Sequence, residues 1–194
     1  MPMVEFVWWP ATHEFLNDID AVIRPTVAHI SSANGCLGIY HGLQEEDKAK
    51  FWMVVVWESH AHHQAMMNSA DYPLMVGRLK PYFSGELKMN HVEFDKDTAG
   101  SFSAPVTTIY FVQSKAGFAA QDSLAHGLEK LSKRTSTTWG ATQEDAEMSI
   151  VIEGQAVGEV NAGGSELYDG IFEELQKHAN IEVLHTKLKL VFGA

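Results

Sequence analysis

The chain has 194 residues, a length that holds one large domain or two small ones. Hydrophobic residues make up 45% and charged residues 20%, a globular rather than a disordered composition. The formal net charge of −11 is spread over both halves, so no basic stripe exists to release counterions from a phosphate backbone; nucleic acid and anionic membrane surfaces are not expected partners.

Cys36 is the sole cysteine, which precludes an internal disulfide and favours a reducing setting. The opening MPMVEFVWWP has no basic segment ahead of a long apolar run, and no stretch reaches about 18 apolar residues. A cytoplasmic protein without signal peptide or membrane span is expected.

In chain order, Val4–Trp9 reads as a strand ended by Pro10. Thr12 caps a helix whose apolar residues Phe15, Ile19, Val22, Ile23, Val27 and Ile30 recur at helical spacing, with a kink or restart expected at Pro25 and a stop at Asn34-Gly35. Leu37–Leu43 is a second strand. Phe51–Glu58 (FWMVVVWE) is apolar at nearly every position, so both its faces should be covered. Ser59 caps a helix opening HAHHQAMM, with a break at Pro73 and an end by Gly85, and Leu87–Phe94 is the fourth strand. A polar linker at 96–105 follows. The order then repeats: strand Val106–Gln113, helix Phe118 to Arg134, strands Thr137–Ala141 and Met148–Glu153, helix Gly164–Ala179 and strand Ile181–Phe192.

Two anchors mark the halves as copies. The apolar third strands, Met53–Trp57 and Ser149–Glu153, stand 96 residues apart, and His91 and His185 on the fourth strands stand 94 apart. The expected fold class is therefore α+β, with duplicated ferredoxin-like βαββαβ units at 1–95 and 106–194.

The run Val56-Trp57-Glu58-Ser59, then His62-His63-Gln64-Ala65, Asn68-Ser69-Ala70-Asp71-Tyr72, Leu79-Lys80-Pro81 and His91-Val92-Glu93-Phe94 resembles the antibiotic biosynthesis monooxygenase-type domain of the dimeric α/β-barrel superfamily, in the tandem form known from fungi. The resemblance is distinct over 51–94, fair over 4–43 and weak in the second half, where Glu153-Gly154-Gln155 replaces Trp-Glu-Ser. It implies a dimeric-α/β-barrel-type fold within one chain, which leaves homodimerisation optional, and a substrate pocket between the helices and sheet of each unit. The superfamily spans oxygenases, haem-degrading enzymes, cyclases, lyases and proteins without known chemistry, so the fold alone does not choose among them.

The residues that could carry chemistry are few. Trp57 ends the apolar strand where such a pocket would open, as a pocket wall or as a core aromatic. His91 shares a strand face with Leu87 and Met89; a ring held neutral by burial serves as a general base, and the alternative is a core histidine with one backbone partner. His60 and His63 lie one helical turn apart and could meet one ion, but no carboxylate or cysteine stands beside them at ligand spacing, so no metal is assigned. Tyr72, Arg78, His63 and His185 are the substrate-binding candidates. Tyr110 is a further candidate in the second half, with Tyr168 and Trp139 behind it.

There is no phosphate loop, dinucleotide fingerprint, zinc framework or Gly-x-Ser-x-Gly elbow. Any enzymology would run in an apolar cavity on one or two acid/base residues, without a cofactor unless haem is bound. Cofactor-independent oxygenation or cyclisation of a small hydrophobic, aromatic or polyketide-like ligand fits that description; a haem protein and a non-catalytic barrel are the alternatives. Met53, where oxygenases of this kind often carry a polar residue, departs from the oxygenase pattern. Since Trp57 and His91 both fall in the first half, that unit is expected to carry the site.

Overall fold

The computed structural model describes residues 1–115, 121–133, 137–156 and 166–193, with backbone only at 121–125, 132 and 166–169. The expected helix starts at Phe118 and Gly164 and the helix end at Arg134 lie outside these residues. The chain divides into two compact units, Met1–His91 with Lys189–Ala194, and Val92–Leu188.

The first unit runs β1 (Met3–Pro10), α1 (His13–Asn17), α2 (Ile19–Ser31), β2 (Cys36–Leu43), β3 (Lys50–Trp57), α3 (His60–Met67), α4 (Tyr72–Leu79), a single 3₁₀ turn at Lys80–Tyr82, and β4 (Lys88–Glu93). Its helical stretch breaks at Asp18 rather than near Arg24, where Pro25 predicts a kink or restart. Asp18 has a non-helical backbone, and its carboxylate accepts from the Ala21 N–H at 3.1 Å, so it caps a second helix that runs through Pro25. Ser59 stands at the expected cap position of α3 but makes no capping bond, because its hydroxyl pairs with His62 Nδ1 at 3.0 Å instead. Gly35 ends the first helical layer at φ +81°, and a Cβ there would meet the His62 ring at 2.3 Å.

β3 pairs antiparallel with β1 and with β2, and the strand order is β4-β1-β3-β2, with β9 (Lys189–Gly193) beyond β2. Val7, Trp9, Phe51, Met53, Val55 and Trp57 form a core with Phe15, Ile23 and Ile30 of the first helical layer and Met66, Met75 and Leu79 of the second. Trp52 and Val54, on the opposite face of β3, are also fully buried, as the unbroken apolar run FWMVVVW requires.

The second unit holds α5 (Ala99–Phe102), β5 (Val106–Ser114), α6 (Gln121–Ser132), β6 (Thr137–Ala141), β7 (Met148–Gln155), α7 (Glu166–His178) and β8 (Ala179–Thr186). Its strand order, β6-β7-β5-β8, is that of the first four strands of the other sheet, so the duplication extends to topology. Tyr110, Val112, Leu128, Leu131, Val151 and Leu175 form its core.

Two expectations need correction. The stretch 96–105 is not a free linker: it carries α5, whose Phe102 is fully buried, and the Ser101 carbonyl accepts from the Thr107 hydroxyl at 2.8 Å. Nor does Ile181–Phe192 form one strand. It breaks at Lys187-Leu188, and β9 (Lys189–Gly193) leaves the second sheet to pair antiparallel with β2, placing Gly38 opposite Gly193 and His41 opposite Lys189. Among the described residues, no helix is long and apolar enough to cross a membrane.

Candidate functional site

Glu5 lies on β1 between Val4 and Phe6, and strand alternation turns it to the helix-facing side with Val7 and Trp9. It is 4% exposed. A carboxylate so placed must be met by donors, because leaving a buried charge unpaired costs several kcal/mol, on the order of 3–5. Trp57 meets it from β3, with Nε1–H donating to Oε2 at 2.9 Å. On the other oxygen, Oε1, His63 Nε2 of α3 stands at 3.4 Å.

His63 is fully buried, and its second nitrogen, Nδ1, is 2.8 Å from His91 Nε2 on β4. The two rings lie 4.7 Å apart between centroids, and Trp57 packs on the His63 ring at 5.3 Å. His60, one turn before His63, approaches His91 at 5.2 Å and is the half-exposed member of the group. Four elements, β3, β1, α3 and β4, thus converge on one line of polar atoms, running from the Trp57 indole through Glu5 and His63 to His91.

The geometry admits one self-consistent arrangement of protons along the line. With the Nε2–H of His63 directed at Glu5, its Nδ1 is the acceptor, and the His91 Nε2–H donates to it. Nδ1 is then the basic nitrogen of His91. In that arrangement the Glu5 carboxylate faces the protonated edge of His63 at 3.4 Å. Tyr72, half-buried at the start of α4, feels the same carboxylate: burial, and then the negative charge of Glu5, push its phenol above its ordinary pKa.

Of the residues expected from the sequence, His91, His63 and Trp57 come together and Tyr72 lies within the field of the group. Trp57 is fully buried in the core, with its N–H bound to Glu5. Arg78 is exposed on α4, and His185 is half-buried on β8 of the other unit. Tyr110 donates its hydroxyl to Glu153 at 3.3 Å. Trp139 is half-buried against the second core, and the side chain of Tyr168 lies outside the described residues. Glu5 was missed. Its signal was an acidic residue on the apolar face of a strand whose neighbours on both sides are hydrophobic.

Two further features of the first unit bear on chemistry. A groove of about 310 Å³ runs between the end of α2 and α3, lined by His29, Asn34, His62, Met66 and Ser69 among others, and the His63–His91 pair is not among its walls. Cys36 is pushed up to about 11 by burial, which keeps it a thiol rather than a nucleophilic thiolate.

The family model for antibiotic biosynthesis monooxygenases matches residues 10–76. Among solved structures, the chain is similar to two putative monooxygenases. One, from Lactobacillus acidophilus, is 14% identical, with 97% of this chain and 95% of that one covered at a TM-score of 0.67. The other, from Fusobacterium nucleatum, is 10% identical, with 97% and 93% covered at 0.71. An anthrone oxidase-like protein is 9% identical and aligns over 100% of this chain and 95% of its own, at 0.67. At these identities the likeness is one of fold. No curated protein matches the sequence.

Proposed function

From the antibiotic biosynthesis monooxygenase-type domain carried by residues 10–76, we propose that this chain is a small-molecule enzyme with monooxygenase-like chemistry on an electron-rich aromatic or polyketide-like substrate. His91 is the base, His63 its partner and Glu5 the positioning residue behind both. The observation that supports this most is the buried Glu5–His63–His91 line, with its 2.8 Å contact between the two imidazoles.

The chemistry needs only dioxygen and a base. His91 takes a proton from a phenol, enol or activated CH₂ of the substrate, leaving a carbanion-like anion. That anion gives one electron to dioxygen, and the radical pair recombines to form a C–O bond. The imidazolium returns its proton to the resulting peroxide. Loss of water across the C–H and O–O bonds then turns a CH₂ and one O₂ into a carbonyl and one H₂O. Water-poor surroundings favour the sequence, because a solvated anion is a weaker reductant and is readily reprotonated. With a different substrate, the same base would drive an aldol-type cyclisation that consumes no oxygen.

Oxygen uptake by the purified chain over a panel of anthrones and polyphenols tests the reading. Turnover of one class, lost in His91→Ala, is expected. No turnover of any member by the native chain would remove the oxygenase assignment, and product analysis for ring closure would then decide whether the base serves cyclisation.

A further inference from the structure

We propose that His60, His63 and His91 also form a site for one divalent transition-metal ion of the zinc, cobalt or nickel class, and that filling it switches the proposed base off. Among the described residues, these three histidines each offer one ring nitrogen, all within 4.8 Å of one another. His60 and His63 come from the same face of α3, three residues apart, and His91 comes from β4. Three imidazoles suit zinc and its neighbours better than calcium or magnesium, which prefer oxygen.

What lifts the cluster above a chance grouping is the shell behind it. Metal-bound histidines usually direct their other ring nitrogen at a carboxylate or carbonyl, which orients the ring. Here the His63 nitrogen away from the cluster faces Glu5 Oε1 at 3.4 Å, and the other Glu5 oxygen is held by the Trp57 N–H. Glu5 also supplies negative charge where the positive end of the α3 dipole would otherwise oppose a cation. His62, by contrast, is committed elsewhere, with Nδ1 on the Ser59 hydroxyl at 3.0 Å and Nε2 3.4 Å from Glu58. Half-exposed His60 is the point of entry.

The ion and the proton line compete for the same atoms. His63 Nδ1 and His91 Nε2 sit 2.8 Å apart around a shared proton. Around an ion with metal–nitrogen bonds of about 2.0–2.1 Å they would separate to about 3.3 Å, a ring shift of roughly half an ångström. In that state His91 Nε2 is held by the ion and the ring proton sits on Nδ1, so the nitrogen that serves as the base has no lone pair left to take a proton. Metal binding does not depend on the chemistry proposed above, whereas the switching effect does.

Untagged protein stripped with a chelator is titrated with Zn²⁺ against a chromophoric chelator, and with Co²⁺ by visible absorption. One ion per chain is expected, with cobalt bands of a site holding three nitrogen ligands. His60→Ala, whose partial exposure spares the fold, should weaken binding at least ~tenfold, Glu5→Gln by ~10–100-fold, and His29→Ala not at all. Absence of stoichiometric uptake of either ion, or uptake unchanged in His60→Ala, overturns the site whatever the fate of the oxygenase reading. With a substrate in hand, stoichiometric Zn²⁺ should stop turnover in the native chain and spare His60→Ala. Turnover indifferent to bound zinc overturns the switch.

Discussion

Glu5 and Trp57 in the first unit have counterparts in the second, but with the residue types exchanged between strands. Trp57 stands opposite Met3, and Glu5 opposite Val55. In the second sheet Glu153 stands opposite Thr108, and Tyr110 opposite Val151. Strand register therefore puts Tyr110 where Glu5 stands and Glu153 where Trp57 stands. Each unit buries one acid against one aromatic donor, at 2.9 Å in the first and 3.3 Å in the second. The acid–aromatic pair is thus a structural solution that both copies retain. The rest of the surroundings differs. Glu153 receives a second bond from the Gln155 amide at 2.9 Å, whereas Glu5 faces an imidazole that leads to another imidazole. At the 96-residue repeat offset the sequence has Ala156 and Glu159 in place of His60 and His63. A carboxylate met by neutral amides and phenols holds a fold together; one met by histidines can also move protons.

The comparison breaks most sharply on activity. His91→Ala should lower kcat for oxygen uptake by ~10²–10⁴-fold, the range for losing a general base, while His185→Ala leaves it within a factor of two or so. Equal losses would mean that the second unit shares the chemistry. Next, Glu5→Gln should cut kcat by ~10–100-fold with KM little changed, and Glu153→Gln should change neither, when both are measured on the same substrate. A purely structural Glu5 would instead show up in thermal stability alone.

Stability gives a smaller contrast. Trp57→Phe removes a donor from a buried carboxylate and should cost ~1–3 kcal/mol in urea unfolding; Tyr110→Phe, whose acceptor retains Gln155, should cost ~1 kcal/mol. The last contrast is one of pH. His41, buried on β2 against Phe51, is lowered to about 4 by burial and by the neighbouring Lys189 of β9, with Asp20 opposing the shift. Asp20 is itself held below its ordinary range, chiefly by its hydrogen bond to Lys189 and with Arg24 contributing. Because the folded state resists protonation while the unfolded chain accepts it near 6.5, stability should fall as pH drops from 6.5 towards 4, by up to about 3 kcal/mol. Parallel melts of native chain and His41→Asn would show it as a slope present only in the former.

The strands were legible because FWMVVVWE and MSIVIE carry apolar residues at a density that only a doubly covered strand tolerates. The duplication was legible because those two runs kept their spacing. His63 and His91 were also legible as candidates, but as separate ones, since no local pattern says that positions 28 residues apart share a hydrogen bond. Glu5 escaped because an acid in a strand normally reads as facing water, and only the register with β3 places it beneath α3. The helix break moved to Asp18 because a side-chain cap outweighed the proline expected to set it. The division of Ile181–Phe192 escaped for a different reason. Lys187-Leu188 carries no turn residue, so the sequence gives no sign that the two strands on either side of it serve different sheets.

That division matters for how the molecule is made. A ribosome delivers β2 about 150 residues before β9, its outer neighbour, so the first sheet carries an open flank throughout synthesis of the second unit. During that interval the unpaired backbone of Cys36–Leu43 is available to any strand that drifts past, including the same segment of another nascent chain. The pairing of Gly38 with Gly193 through His41 with Lys189 closes that window, and folding of the first unit waits for a segment made after the whole second unit.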